Sequence, residues 1–133
     1  MKTSMVSTNF IIYLLISIVS FFHDQYTTDC TNISVYTYIN SFLHHLFSNY
    51  LWFGSIIFGN YQTHLVIVLL VLLGWMYNGG CVITHMYNEA CGIKKSSNHK
   101  DLIYNFIKQT NISYYRLIAI LILFDTYFSL YCK

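Results

Sequence analysis

Residues 65–84, LVIVLLVLLGWMYNGGCVIT, decide the fold class. The first nine, Leu65 to Leu73, are all aliphatic, and Gly74, Trp75, Met76, Tyr77, Asn78, Gly79 and Gly80 follow. A hydrocarbon core of about 30 Å takes about 20 helical residues to cross, so this stretch is expected to span a bilayer. Around it, residues 30–88 contain no Asp, Glu, Lys or Arg, and neither do residues 3–23. No water-facing surface can be built from such stretches.

Over the 133 residues, 56% are hydrophobic, 19% aromatic and only 9% charged, against about 25% charged in ordinary soluble domains. A disordered chain is excluded by the aromatic content. A nucleic-acid binder is excluded because 7 basic residues at net charge +2 make no basic footprint. One Arg, no Pro and many Asn and Tyr read as the product of an A/T-rich genome, so the abundance of Tyr and Asn carries little functional meaning.

Three further stretches are apolar. Residues 114–131 are interrupted only by Arg116, near enough the end to snorkel, and by Asp125. Residues 41–59 are softer, with His44, His45, Ser48 and Asn49 crowding the first half, and fit either a span or an interfacial position. Residues 10–22 fit a short anchor or a signal-like segment. The expected architecture is an all-α integral membrane bundle forming a single domain over 1–133, with four embedded helices at about 9–23, 41–59, 63–88 and 113–131. Residues 1–23 are an N-terminal anchor or uncleaved signal-like segment. Gly79-Gly80 is expected to kink or loosen the third helix.

Residues 24–40 read as an exposed polar loop. Residues 92–112 form a connection rich in lysine, within which Leu102, Ile103, Phe106 and Ile107 recur at helical spacing and predict a short amphipathic helix on the headgroups. The positive-inside rule places Lys94, Lys95, Lys100 and Lys108 on the cytoplasmic side. Two sequons, Asn32-Ile33-Ser34 and Asn111-Ile112-Ser113, would need the opposite side and read as chance occurrences in an Asn-rich chain.

Leu43, His44, His45, Leu46 and Phe47 lead to Gly54; His64 is followed by Gly74-Trp75, then by Cys81, Val82, Ile83 and Thr84, with Asn88 beyond. Over about residues 42–131 this pattern resembles a family of small bacterial multi-span membrane proteins catalogued as a domain of unknown function, whose second span ends in Gly-Trp and Cys-Pro-Leu-Thr followed by Glu-Asn. Val82 stands for the Pro, Tyr87 for the Glu, and four extra residues separate Trp75 from Cys81. The resemblance implies fold and membrane location, favours 41–59 as a true span, and implies no activity.

Asp125 is the sharpest single feature. It lies about 16 Å along its helix from Tyr114, where a carboxylate in a membrane hints at proton relay, ion path or helix pairing. The more ordinary expectation is an Asp hydrogen-bonded to Asn78, Tyr77 or a Ser on a neighbouring helix, holding the bundle together. Cys81, His85 and Glu89 share a stripe on a continuous helix, and with His44 they make a metal or haem site geometrically open. Polar residues at a helix end are the simpler account, and no metal or cofactor is assigned. Of Cys30, Cys81, Cys91 and Cys132, only Cys30 with Cys91 is spaced for a disulfide, and free membrane cysteines are the expectation.

The functional reading is a non-enzymatic subunit or structural component of a membrane, be it viral, organellar or cellular. Its partners are the lipid bilayer and other membrane subunits or copies of itself. A small transporter or proton path through Asp125 and Asn78 is the alternative, and a metal- or haem-binding redox protein a further one.

Overall fold

In the computed structural model, residues 2–28, 30–93 and 107–131 are described, with side chains from residue 8 onward. Every regular element among them is helical: α1 (Lys2–Thr27), α2 (Val35–Phe58), α3 (Tyr61–Asn78), α4 (Val82–Cys91) and α5 (Tyr114–Tyr131). Residues 107–110 are helical as well. The amphipathic helix expected around Leu102, Ile103 and Phe106 otherwise lies outside the described residues.

Local chemistry sets the boundaries. Ser34 and Thr37 form a capping box at the start of α2, and Gly59, at φ 66°, closes it in the left-handed region that glycine enters without strain. Asn60 accepts from the Thr63 amide and opens α3 immediately. Only Gly59 and Asn60 separate the two helices, so α3 folds back along α2.

The expected helix over 63–88 is instead two. Gly79 (φ 69°) and Gly80 (φ 156°) leave helical geometry, and Cys81 precedes the first residue of α4. Two adjacent glycines give the backbone more freedom than a kink needs, and the chain breaks there. The polar stretch 24–40 also departs from expectation. α1 runs through Asp24 to Thr27 and α2 begins at Val35, and Asp24, Thr37 and Asn40 are buried between helices.

α1 packs on α2, α2 on α3 and α4, and α3 on α5. The apolar core is small: Leu51, Trp52, Val68 and Ile118, with Val71, Leu72, Trp75, Tyr114 and Leu117 against it. Much of the remaining interior is polar, including Ser17, Asp24, Ser41, His45, Asn49, His64 and Asp125. Large apolar side chains such as Val19, Leu70, Leu73, Leu123 and Leu130 are more than half exposed. Among the described residues, two stretches are long and apolar enough to cross a membrane, Thr8–Thr27 and Tyr61–Asn78. Both α2 and α5 have at least 18 residues, but His44, His45 and Asn49 dilute the first and Arg116, Asp125 and Thr126 the second. All-helical bundle is the supported architecture, with two candidate spans in place of the expected four.

Candidate functional site

Three polar constellations lie inside the bundle. The first seals α1 to α2. Asn49 Nδ2 donates to Ser20 Oγ at 2.8 Å, Gln25 Nε2 donates to Ser41 Oγ at 2.9 Å, and His45 Nε2 stands 3.2 Å from Asp24 Oδ2. With Asp24 and His45 both buried, each cancels the cost of burying the other's polarity.

The second constellation contains Asp125, which is completely buried. Its partner is His64, whose Nδ1 lies 2.5 Å from Asp125 Oδ2. The other ring nitrogen, Nε2, is 3.1 Å from the carbonyl oxygens of both Tyr50 and Leu51. Facing two acceptors, Nε2 must carry its hydrogen and donate it. One further proton is then shared across the Nδ1–Oδ2 contact, and the pair is neutral as a whole in either arrangement. His64 therefore ties three helices, α2 through backbone carbonyls, α3 through its own chain and α5 through Asp125. Gly54 makes room for it: a Cβ there would stand 3.1 Å from His64 Cδ2.

Asn78 is not part of this group. It is exposed, donates to the Gly74 carbonyl at 2.9 Å, and sits 14 residues from His64, about 21 Å along α3. The expected proximity of Asp125 to Asn78 or Tyr77 is therefore replaced by pairing with His64.

The third constellation surrounds the α3–α4 break. A cavity of about 300 Å³ is lined there by His44, Trp52, Trp75, Cys81, Thr84 and Asn88, among others. His44 is buried on α2, and its Nδ1 lies 3.4 Å from Thr84 Oγ1. Burial alone raises the Cys81 thiol, but hydrogen bonding and charge from His44, with hydrogen bonds from Thr84, outweigh it and bring the thiol down to about 7. His85 is exposed and borders the same cavity, whereas Glu89 is exposed elsewhere on α4. The break thus gathers His44, Cys81 and His85 but not Glu89, and no group of three metal-ligating side chains forms among the described residues.

The cysteine expectation is corrected. Cys30 and Cys91 form a disulfide with Cα atoms 4.8 Å apart, and Cys81 is free. Cys132 lies outside the described residues. The pairing follows from α4 delivering its last residue to the α1–α2 connection, where Thr31 Oγ1 donates to the Cys91 carbonyl at 2.8 Å.

His64, Asp24, His45, Thr84 and Asn88 were not assigned to a site from the sequence. The pairs Asp24–His45, His64–Asp125 and Thr84–His44 join residues 21 to 61 positions apart, and no local spacing signals such pairs. No family model, no curated protein and no solved structure matches this chain.

Proposed function

We propose that this chain is a small multi-pass integral membrane protein acting as a non-enzymatic subunit or structural component, with α1, α2, α3 and α5 embedded in the bilayer. The observation that carries the reading is the inverted distribution of polarity. Polar pairs such as His64–Asp125 occupy the helix interfaces, while long apolar side chains of α3 and α5 face outward. In hydrocarbon, buried polar contacts and close packing hold helices together, because apolar contact gives little advantage over lipid. The exposed aliphatic surface is suited to lipid or to further subunits. Lipid bilayer and other membrane subunits or copies of the chain are therefore its partners.

The Cys30–Cys91 bridge favours an oxidising compartment for the end of the bundle that holds it. The Lys94-bearing segment begins three residues after Cys91, so this criterion opposes the one drawn from its positive charge.

The test is extraction of membranes at alkaline pH, followed by mass measurement in mild detergent with partners retained. Retention in the membrane pellet and a mass above that of one chain are expected. Release into the soluble fraction, or a strictly monomeric protein, overturns the reading. A proton path through Asp125 is a second reading, favoured by one observation: Asp125 Oδ1 is buried without a hydrogen-bond partner among the described residues. Proton flux in vesicles that is lost in Asp125→Asn would support it.

A further inference from the structure

We infer that Cys81 is an S-acylation site, taking a long-chain acyl group from an acyl thioester with His44 as the base and the cavity at the α3–α4 break as the seat of the chain. Cys81 stands just beyond α3, one of the two helices long and apolar enough to cross a membrane, which is the position at which lipid-modified cysteines lie next to their substrate. It is one wall of a cavity whose other walls include Phe47, Leu51, Trp52 and Trp75, side chains suited to an alkyl chain and unsuited to a charged ligand.

A second, independent feature marks the cavity as a place for a polar ligand group. Asn88 is only 7% exposed and borders the cavity, yet its Oδ1 has no hydrogen-bond partner among the described residues. Rotation of the terminal amide exchanges its oxygen and nitrogen, so Asn88 can offer either an acceptor or a donor. The carbonyl oxygen of a thioester needs a donor. The Thr84 backbone amide in the first turn of α4 hydrogen-bonds Cys81, and the N-terminal end of that helix favours developing negative charge.

The step balances without an oxidant or a metal. The Cys81 proton passes to the His44 ring, and Sγ attacks the acyl carbon. The carbon–sulfur bond of the donor breaks, and the departing thiolate takes the proton from His44. Thiol–disulfide exchange is disfavoured because Cys81 is the free cysteine among the described residues while Cys30 and Cys91 are already joined. A mixed disulfide at Cys81 would have no neighbouring thiol among the described residues to resolve it.

The test uses the full chain in detergent micelles with palmitoyl-coenzyme A, followed by intact mass. One acyl adduct, removed by neutral hydroxylamine and absent in Cys81→Ala, is expected. His44→Gln should slow its formation about tenfold or more while N-ethylmaleimide still labels Cys81, and Asn88→Ala should slow it too. The inference is overturned if wild-type protein takes no adduct although N-ethylmaleimide labels Cys81. It is equally overturned if His44→Gln reacts at the wild-type rate, or if glutathione disulfide modifies Cys81 faster than the acyl donor at equal concentration.

Discussion

His64 and Asp125 are 61 residues apart in sequence, yet their side chains meet with Nδ1 2.5 Å from Oδ2 in the interior between α3 and α5. Because His64 also donates to two α2 carbonyls, one imidazole holds the register of three helices.

Removing either member leaves the other buried without its partner, which typically costs about 3–5 kcal/mol. Asp125→Ala and His64→Ala should each lose about that much. Asp125→Asn should lose less, since its amide can donate to a neutral His64 Nδ1 while Nε2 keeps its carbonyls. Thermal unfolding in detergent followed by tryptophan fluorescence reads all three. Wild-type melting of Asp125→Ala would remove the pair from any structural role.

Gly54 and Gly74 provide a matched comparison. A methyl at Gly54 meets Tyr50 Cδ2 at 3.0 Å and His64 Cδ2 at 3.1 Å, whereas at Gly74 nothing among the described residues lies within 4 Å. His64 is fixed by three polar contacts and cannot give way freely. Gly54→Ala should therefore destabilise by about 1–3 kcal/mol, and Gly74→Ala should stabilise by about 0.5–1 kcal/mol through helix propensity. Opposite shifts in melting temperature are the expected pair of results.

The Cys81 thiol should react with iodoacetamide along a pH profile with its midpoint near 7, and His44→Gln should move that midpoint upward. The sign for stability follows from the folded value lying below the unfolded one. The contribution is complete above the unfolded value, declines as pH falls between the two, and is absent below about 7. A profile centred at the usual position of a free cysteine would show that His44 does not engage the thiol.

Without the Cys30–Cys91 bridge the unfolded chain regains the freedom of a loop spanning 61 residues of separation. Cys30→Ala should cost about 2–4 kcal/mol. Denaturation midpoints of the oxidised and reduced wild-type protein check the same quantity without a substitution, and coincident midpoints would contradict it.

The helices were legible where one physical signal dominated. The aliphatic run at Leu65–Leu73 identified the core of α3, and the apolar run before Tyr131 identified α5. Asp125 stood out because a carboxylate inside an apolar run demands a partner, but His64 could not be named as that partner. The contact depends on how α2, α3 and α5 stack, which residue spacing does not encode. The Gly79-Gly80 pair was visible as a weak point, yet whether two glycines bend a helix or end it is decided by the packing of α4 on α2. That same packing carries Cys91 to Cys30. A stretch judged by its own polarity, such as 24–40, misleads when its polar side chains are satisfied by another helix, as Asp24 is by His45.

The bridge between Cys30 and Cys91 also changes the connectivity of the molecule. It turns residues 30–91 into a covalent ring that contains all of α2, α3 and α4, with α1 and the segment ending in α5 as two tails. A single proteolytic cut in the Gly59-Asn60 turn would open the ring without separating the pieces, which would travel together until a reductant released them. The nicked protein would remain one covalent molecule, with α1 and α2 on one piece and α3, α4 and α5 on the other.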